Sequence, residues 1–341
     1  MLIDIALDAF GSDKAPEPEI RGAILACRAL PVRVHLVGRE PELRDLLDEH
    51  LEDEDLPIVI HHASERIGMD EKAAQAVRTK RDSSMRVGLK LVRERKAAGF
   101  VTAGNTGAAM ATAKMVLGAL PGVDRPALAT PMPSATGNPC VLLDVGANVS
   151  PKPEHLFQYG VMGSIFARSI LQTAEPTVGL MNVGSEEAKG HDLAKETHAL
   201  FNASHLRERF VGNVEGRDIH RGAADVVVCD GFVGNVVLKT CEGVFEFLMK
   251  VAAKDIISAL DTERGRAEKA LKALEARYHY SEFGGAPLLG IDGVCIICHG
   301  SSDDRAIKNA LAVAARYAAV HLNDLIVQEL ETSLPALAGE G

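Results

Sequence analysis

The sequence predicts an α/β protein in which helices cover both faces of a largely parallel β-sheet. Three observations lead to this prediction. Short apolar runs alternate with longer amphipathic stretches along the chain, as in repeated strand–helix units. Some runs, such as VVVC at residues 226–229, are apolar at every position, which is typical of parallel strands buried on both faces. Glycines follow many of these runs, where the backbone has to turn closely.

The apolar runs are short and rich in Val, Ile and Leu, and each predicts one strand. In chain order these strands cover residues 3–8, 32–37, 57–61, 100–103, 127–131, 141–145, 177–182, 209–212, 226–230 and 294–298. The stretches between them carry apolar residues at helical spacing. They predict helices over residues 17–29, 40–52, 83–97, 107–117, 154–171, 188–203, 234–260, 261–278 and 303–330.

Length and composition limit the class of protein. Of 341 residues, 47% are hydrophobic, which is enough for a large core. We expect one α/β domain over residues 1–333, either a single unit or two closely joined lobes, and a frayed tail over residues 334–341. The net charge of −10 argues against a nucleic-acid-binding protein. The first residues do not resemble a signal peptide and no apolar run reaches about 18 residues, so we expect a cytoplasmic protein.

Polar residues and glycines follow five of the predicted strands. The segments are GNTGAAM after residue 103, GANVSP after 145, VGSEEAKG after 182, GFVGNVVLK after 230 and HGSSDDRAIKNA after 298. In open parallel sheets, ligands bind beyond the carboxyl ends of the strands. We therefore expect these segments to form one shared cleft.

Small anions are the ligands that such segments favour, because glycine-rich turns before helices expose backbone N–H groups and the positive end of the helix dipole. Asn105, Thr106 and Gly107 fit this pattern, as do Ser301 and Ser302. The dinucleotide and P-loop motifs are missing from the sequence, as are the G-x-S-x-G elbow and HExxH. Free phosphate fits better than a nucleotide, and the nucleophile is expected to come from a substrate.

Cys295, Cys298 and His299 form a C-x-x-C-H sequence, which can mark haem attachment. Residues three apart in a strand point to opposite faces, so the two thiols should diverge. Without a second pair of ligands at matching spacing, zinc is not favoured either. We expect no metal and no cofactor.

Six ordered motifs resemble the phosphate acyltransferases of bacterial phospholipid synthesis, and the resemblance runs from about residue 2 to about residue 325. The motifs are IALDAFGSDKAP, TAGNTGA, LLDVGANVSP, NVGSEEAKG, DGFVGNVVLK and IDGVCIICHGSS. The first motif departs from the family, which usually has Met and Gly where this chain has Phe10 and Ser12. The resemblance implies a layered α/β fold like those of phosphotransacetylases and isocitrate or isopropylmalate dehydrogenases. It also implies transfer of a long fatty acyl group from acyl carrier protein to inorganic phosphate.

That chemistry needs groups that hold phosphate and stabilise an oxyanion. Lys189 and Asn235 are our candidates for the catalytic residues, and Asp230 is expected to orient Lys189 or a bound group. A surface lysine and a helix N-cap are the structural alternatives for Lys189 and Asn235. The remaining candidates for phosphate and substrate binding are Asp8, Gly11, Asn105, Thr106, Gly107, Asp144, Asn148, Gly231, Gly234, His299, Ser301 and Ser302.

Residues 78–96 hold eight basic and two acidic residues, a net charge of +6. Within it, Arg86, Lys90 and Arg93 share one helical face, and with Arg78 they predict a docking site for the acidic carrier protein. The alternative is a solvated helix face. The resemblance also implies a homodimer and contact with the membrane and with the next, membrane-bound acyltransferase, for which residues 257–260 are the candidate.

Three rival functions remain open at this point. One is a phosphotransacetylase-like enzyme that uses acetyl-CoA. Another is a dehydrogenase of a related fold, although the missing dinucleotide motif argues against it. The third is a non-catalytic scaffold that binds acyl groups.

Overall fold

A computed structural model describes residues 2–51, 54–260, 262–278 and 284–337. Within these residues the protein forms a single sheet of 11 strands. In chain order they are β1 (Ile3–Asp8), β2 (Val32–Gly38), β3 (Ile58–His62), β4 (Gly99–Thr102), β5 (Ala127–Met132), β6 (Cys140–Leu143), β7 (Val178–Met181), β8 (Phe210–Val214), β9 (Val226–Val228), β10 (Ala286–Leu289) and β11 (Cys295–Ile297).

Helices connect most of these strands and cover both faces of the sheet. They are α1 (Glu17–Ala29), α2 (Glu40–Leu51), α3 (Ala73–Thr79), α4 (Ser84–Arg93), α5 (Thr106–Val116), α6 (Pro153–Ser169), α7 (Asp192–Ala203), α8 (Gly216–Ile219), α9 (Gly231–Ser258), α10 (Arg264–Tyr278), α11 (Asp304–Ala319) and α12 (Leu322–Leu337). A 3₁₀ turn at Arg207–Arg209 precedes β8.

The strand order is β3-β2-β1-β4-β11-β10-β5-β6-β9-β7-β8. Seven neighbouring pairs are parallel and three are antiparallel. The layered α/β fold with a largely parallel sheet is therefore confirmed. The three antiparallel pairs are consecutive, at β11–β10, β10–β5 and β5–β6. They divide the sheet into two parallel halves that run in opposite directions.

All ten predicted strands are present, with ends that agree within two residues, and β10 is an additional strand. Two short helices, α3 and α8, were also not predicted. The helix predicted over residues 303–330 is instead two helices, because the chain turns at His321, whose φ is 52°. α12 continues to Leu337, past the point where we expected the tail to fray, and residues 338–341 lie outside the described residues. Residue 261, predicted to begin a helix, also lies outside them.

Two hydrophobic cores lie on opposite faces of the sheet. Core A holds Ile5 and Leu7 together with side chains of α1, α2, α6, α7, α11 and α12. Core B holds Ala6 of the same strand and side chains of α3, α4, α5 and α8, and the inner side of α9 packs against it. The two thiols of the C-x-x-C-H sequence follow the same alternation, since Cys295 lies in core B and Cys298 in core A.

Among the described residues, no single helix has both the length and the apolar composition to cross a membrane. Of the helices that the structure describes, only α11 and α12 taken together meet the two criteria, and this pair is bent by 53° at its junction.

Candidate active site

A cavity of about 510 Å³ lies on the core B side of the sheet, between α9 and the strands β5, β10 and β11. We call it the α9 cavity. Its volume is in the range of small-molecule sites, and apolar side chains such as Leu128, Met132, Leu238, Phe245 and Ile297 form much of its wall. The polar side chains that line it belong to Thr106, Thr130, His220, Asn235, Lys239, Thr240, Glu242, Glu246 and His299.

The five polar strand ends do not meet at one edge of the sheet, and of the five segments expected to share one cleft, those after β4, β9 and β11 line the α9 cavity. The three antiparallel pairs reverse the strand direction between β11 and β6. The carboxyl ends of β4 and β11 therefore lie at one edge, and those of β6, β7 and β9 at the other. The α9 cavity nevertheless spans both groups: Thr106 and His299 follow β4 and β11, whereas Val145 and Asn235 follow β6 and β9.

Asp8 joins the loops that follow β1 and β4. Its buried carboxylate accepts hydrogen bonds from the Phe10 N–H (3.1 Å) and the Thr102 hydroxyl (2.8 Å). Burial raises the pKa of this carboxyl. A Cβ on Gly11 would lie 2.8 Å from the Gly104 nitrogen, so only glycine allows the two loops to pack this closely. In this geometry Asp8 and Gly11 shape the loops and do not themselves face the cavity.

Asn105 is the N-cap of α5. Its Oδ1 accepts from the Ala108 N–H at 3.0 Å, and its amide donates to the carbonyls of Met69 (3.0 Å) and Glu71 (3.1 Å). The side chain is thus used by the protein itself. The first turn of α5 contains no acidic residue that would repel an anion, so the anion site predicted at this helix start remains possible without the Asn105 side chain.

Thr106 and Gly107 are the first two residues of α5, whose N–H groups have no partner within a helix. In the part of the chain that the structure describes, no group accepts a hydrogen bond from either N–H. Thr106 is exposed and lines the α9 cavity. The N-terminus of α5 therefore presents two N–H donors and a hydroxyl beside the cavity.

His299 lies at the same end of the cavity and is exposed. Its Nδ1 is 2.7 Å from the Ser301 hydroxyl. The helix predicted from residue 303 begins at Asp304, so Ser301 and Ser302 precede it. Asp303 is its N-cap, and the Asp303 carboxylate accepts from the Ala306 N–H at 2.8 Å. Two carboxylates at this helix start disfavour an anion there, and Ser302 is buried.

Asp144 organises the loop after β6 from within. One carboxylate oxygen accepts from the N–H groups of Leu128 (3.0 Å), Gly146 (3.2 Å) and Ala147 (3.0 Å). The other accepts from the backbone N–H (2.6 Å) and the amide (3.1 Å) of Asn148. Burial raises the pKa of the Asp144 carboxyl. The GANVSP loop is therefore not an open anion site, because a protein carboxylate already occupies its donors.

The segment DGFVGN forms the start of α9. Asp230 is its N-cap, accepting from the N–H groups of Phe232 and Val233 at 2.9 Å each. The carboxylate is thus aimed at its own helix, and not at Lys189 as we had expected. Asn235 lies in the second turn, so it is not the N-cap, and its exposed side chain lines the cavity.

Gly231 and Gly234 let α9 pack against the loop that Asp144 organises. A Cβ on Gly231 would lie 2.9 Å from the Asn148 nitrogen, and one on Gly234 would lie 1.9 Å from the Asp144 carbonyl oxygen. On the other side of this contact, a Cβ on Gly146 would lie 3.9 Å from the Asn235 Oδ1. The glycines thereby fix where Asn235 enters the cavity.

Lys189 is exposed and is not among the described residues that line the α9 cavity. It lies in the loop after β7, where the Asn182 amide donates to its carbonyl at 3.1 Å. Because Leu180 pairs with Val228, this loop and the start of α9 leave the sheet side by side. Lys189 and Asn235 are thus at the same sheet edge, but Asn235 alone enters the cavity.

The predicted docking residues lie on two helices. Arg86, Lys90 and Arg93 all belong to α4, where Lys90 and Arg93 are exposed and Arg86 is half-buried. Arg78 is exposed on α3 instead. Their role in docking remains a prediction.

Sequence reasoning missed several cavity residues. Leu238, Cys241, Phe245 and Leu248 follow Asn235 at helical spacing on α9, and this periodicity would have found them. His220 is different, because it lies at the end of the four-residue helix α8, where no periodic pattern indicates its direction. No group of three or more His, Cys, Asp or Glu side chains among the described residues is placed to hold a metal ion.

Comparisons with known proteins agree with this architecture. A family model described as "Fatty acid synthesis protein" matches residues 3–324. The phosphate acyltransferase of Acidobacterium capsulatum is 60% identical over 340 residues, which cover 99% of each chain. That of Koribacter versatilis is 52% identical, over 97% of this chain and 93% of its own.

Two solved structures share the fold at low sequence identity. A phosphotransacetylase from Streptococcus pyogenes matches with a TM-score of 0.60 at 15% identity, over 93% of this chain and 94% of its own. The EutD phosphotransacetylase from Staphylococcus aureus matches with a TM-score of 0.57 at 14% identity and the same coverage of both chains. These likenesses concern the fold alone.

Proposed function

Because this chain belongs to the fatty acid synthesis protein family and is a phosphate acyltransferase, we propose that its acyl donor is a long-chain acyl thioester of acyl carrier protein. Inorganic phosphate is the acceptor. The products are an acyl phosphate, which serves the synthesis of phosphatidic acid and phospholipids, and the free thiol of the carrier protein.

The observation that carries this proposal is the lining of the α9 cavity. Its apolar wall follows α9 from Leu238 to Leu248, a distance of roughly 15 Å at 1.5 Å per residue. Polar groups that suit phosphate and a carbonyl, on Thr106, Asn235 and His299, line the same cavity. A cavity that combines a long apolar wall with these polar groups suits a long acyl chain that carries a reactive carbonyl.

Phosphate is proposed to bind at the N-terminus of α5. The N–H groups of Thr106 and Gly107, the Thr106 hydroxyl and the His299 side chain supply donors, and the helix dipole favours an anion there. The first turn carries no acid that would repel it. No protein nucleophile is required, because phosphate itself attacks the acyl carbon.

The reaction then needs little acid–base help. A phosphate oxygen attacks the thioester carbonyl, the carbonyl oxygen becomes negative, and the carbon–sulfur bond breaks as the thiolate leaves. We propose that the Asn235 amide donates to that oxygen. Removing one such donor costs on the order of 100-fold to 1000-fold in rate.

Lys189 is proposed to bring a positive charge to the same reaction. Its loop leaves the sheet beside the start of α9, but its side chain is exposed in this structure. Its role therefore requires the loop over residues 182–190 to move toward the cavity when substrates bind. Binding of the anionic phosphate supplies the charge that draws the ammonium inward.

An acetyl-CoA-using phosphotransacetylase is the second candidate, since the solved structures of similar fold carry that name. An acetyl group would leave most of the apolar wall along α9 empty. The size of the α9 cavity therefore favours the long acyl chain.

Further partners are proposed on the outer surface. The face of α4 that carries Arg86, Lys90 and Arg93 would dock the acidic carrier protein.

The outer side of α9 exposes large apolar side chains, with Phe232 65% and Phe247 63% exposed. We assign this side to a homodimer interface, and residues 257–260 near the end of α9 to contact with the membrane and the next acyltransferase. These assignments predict a dimer in sedimentation and binding to phospholipid vesicles.

The experiment that tests the proposed function measures thiol release from palmitoyl-acyl carrier protein with and without inorganic phosphate. Release should depend on phosphate and fall about 100-fold or more in Asn235→Ala and in Lys189→Ala. Lys250→Ala, which changes an exposed lysine on α9, is the control and should keep its activity. Phosphate-independent release would indicate a thioesterase, and full activity of Asn235→Ala would remove it from the mechanism. No release with any acyl donor would favour a scaffold.

A further inference from the structure

His220 and Cys241 form a hydrogen-bonded pair in the wall of the α9 cavity. The imidazole Nδ1 is 2.8 Å from the Pro133 carbonyl oxygen, and Nε2 is 3.2 Å from the Cys241 sulfur. A carbonyl oxygen can only accept, so Nδ1 must carry the proton in the neutral ring. Nε2 is then the acceptor, and the Cys241 thiol donates to it.

This is the arrangement of an activated nucleophile: a thiol beside a base that a third group orients. The thiolate is the reactive form of cysteine, and a neighbouring imidazolium stabilises it. The hydrogen bond with Cys241 is the main cause that raises the pKa of His220, and the Pro133 carbonyl adds to it. Both effects favour a protonated imidazole next to the sulfur.

The other cysteines have different surroundings. Cys140, Cys229, Cys295 and Cys298 are buried, and burial raises the pKa of each of these thiols. The thiol of Cys27 lies 3.7 Å from the Pro57 carbonyl, and its pKa is raised to about 11, again mainly by burial. Cys241 thus differs from them in having an oriented base as its partner.

The position of Cys241 on α9 places it along the acyl path. It follows Asn235 by six residues, which is about 9 Å along a helix. Leu238 and Phe245 of the same helix line the cavity on either side of it. An activated acyl group whose carbonyl lies beside this part of α9 therefore reaches the sulfur.

We propose that Cys241, with His220 as its base, accepts an activated long-chain acyl group and becomes S-acylated inside the α9 cavity. The class of donor is an acyl thioester or an acyl phosphate, and the inference rests on the proposed function only in that both place an acyl chain in this cavity. The acyl chain attached to Cys241 would then occupy the α9 cavity and block it for a further acyl donor. S-acylation would thus act as a self-limiting modification under excess acyl donor.

The step balances without an oxidant or a cofactor. The thiol proton passes to His220 Nε2, and the sulfur attacks the acyl carbon. The bond from that carbon to the donor's sulfur, or to the phosphate oxygen, breaks. The leaving thiolate or phosphate takes the proton from the imidazolium, which restores neutral His220.

The test uses the full-length protein, palmitoyl-CoA as the probe, no phosphate, and intact-mass spectrometry. One palmitoyl group should appear, should map to Cys241 and should be removed by neutral hydroxylamine. Cys241→Ala should not be labelled, and His220→Gln should be labelled about 100-fold more slowly. Cys27→Ala is the matched control and should be labelled like the wild type.

Alkylation of Cys241 by iodoacetamide is a second readout. The rate of alkylation should be lower in folded His220→Gln than in the wild type, and palmitoylation of Cys241 should block the reaction.

The outcomes separate this inference from the proposed function. Labelling elsewhere, labelling that Cys241→Ala retains, or equal rates in His220→Gln would overturn the inference. Phosphate-dependent thiol release without any label on Cys241 would also overturn it while leaving the proposed function in place. A label on Cys241 in a protein that releases no thiol to phosphate would support the inference and contradict the proposed function.

Discussion

Gly234 meets the backbone of the Asp144 loop at a separation that no side chain would permit. A Cβ there would lie 1.9 Å from the Asp144 carbonyl oxygen. The contact sets the position of Asn235, the next residue, in the cavity.

Gly234→Ala should therefore lower both stability and activity. The overlap is with backbone, which cannot rotate away, so we expect the free energy of unfolding to fall by about 1–3 kcal/mol. Displacement of Asn235 should also lower the transfer rate.

Gly243→Ala is the matched control on the same helix, since a Cβ there meets no atom within 4 Å. It should gain about 0.5–1 kcal/mol. Thermal unfolding and the thiol-release assay measure both variants, and equal Tm values would contradict the contact.

Glu19 is a second residue with a measurable consequence. Its side chain is fully buried and accepts the Ser12 N–H at 2.8 Å. Burial raises the pKa of its carboxyl from 4.5 to about 7. Between these values the folded state keeps a proton that the unfolded state has lost, so stability falls as the pH rises from about 4.5 to about 7.

Glu19→Gln removes this titration. The stability of the variant relative to the wild type should therefore increase across that window by roughly 3 kcal/mol and stay constant above it. Urea unfolding at several pH values from 4.5 to 8 measures this difference. A difference that does not change with pH would show that Glu19 does not titrate in this range.

The residues at the strand ends were predictable from sequence, but the direction of their side chains was not. Asp144 and Asn105 belong to the predicted motifs, yet both turn inward and bind backbone groups. Asn235 and His299 come from the same motifs and do line the cavity. An acid or amide in a turn can satisfy its own loop or a ligand, and only the fold decides which.

Among the elements, periodicity predicted the helices and strands well where the local signal was strong. β10 was missed because Pro287 lies within it and glycines precede it, features that argue against a strand. α9 begins at Gly231, three residues before the predicted start, because the Asp230 carboxylate caps it. Capping by this residue was not foreseen, since we had expected Asp230 to orient Lys189 or a bound group.

The basic face of α4 can be tested by charge reversal. Lys90→Glu or Arg93→Glu should raise KM for the acyl carrier protein about tenfold, or 1.4 kcal/mol, because this proposed partner is acidic. The effect should shrink at high salt, which screens exposed charges. Lys195→Glu, an exposed lysine on α7, is the control. An unchanged KM in both α4 variants would place the docking site elsewhere.

The reversal of strand direction across the sheet is the feature that sequence could not supply. A largely parallel sheet was predicted from apolar runs and alternating elements, but its division into two halves was not. Their relative direction depends on three antiparallel pairings through β5 and β10, and β10 was not predicted. The motifs consequently lie at two edges, and the α9 cavity across one face of the sheet connects them.

Incorporation of radiolabelled inorganic phosphate into lipid-extractable acyl phosphate shows whether a long acyl chain is transferred to phosphate within the α9 cavity. Palmitoyl-acyl carrier protein and acetyl-CoA are compared as donors. We expect labelled palmitoyl phosphate at a rate at least about 100-fold above that of acetyl phosphate, since only the long chain fills the cavity. Equal or faster labelling of acetyl phosphate would rule out a preference for the long acyl chain.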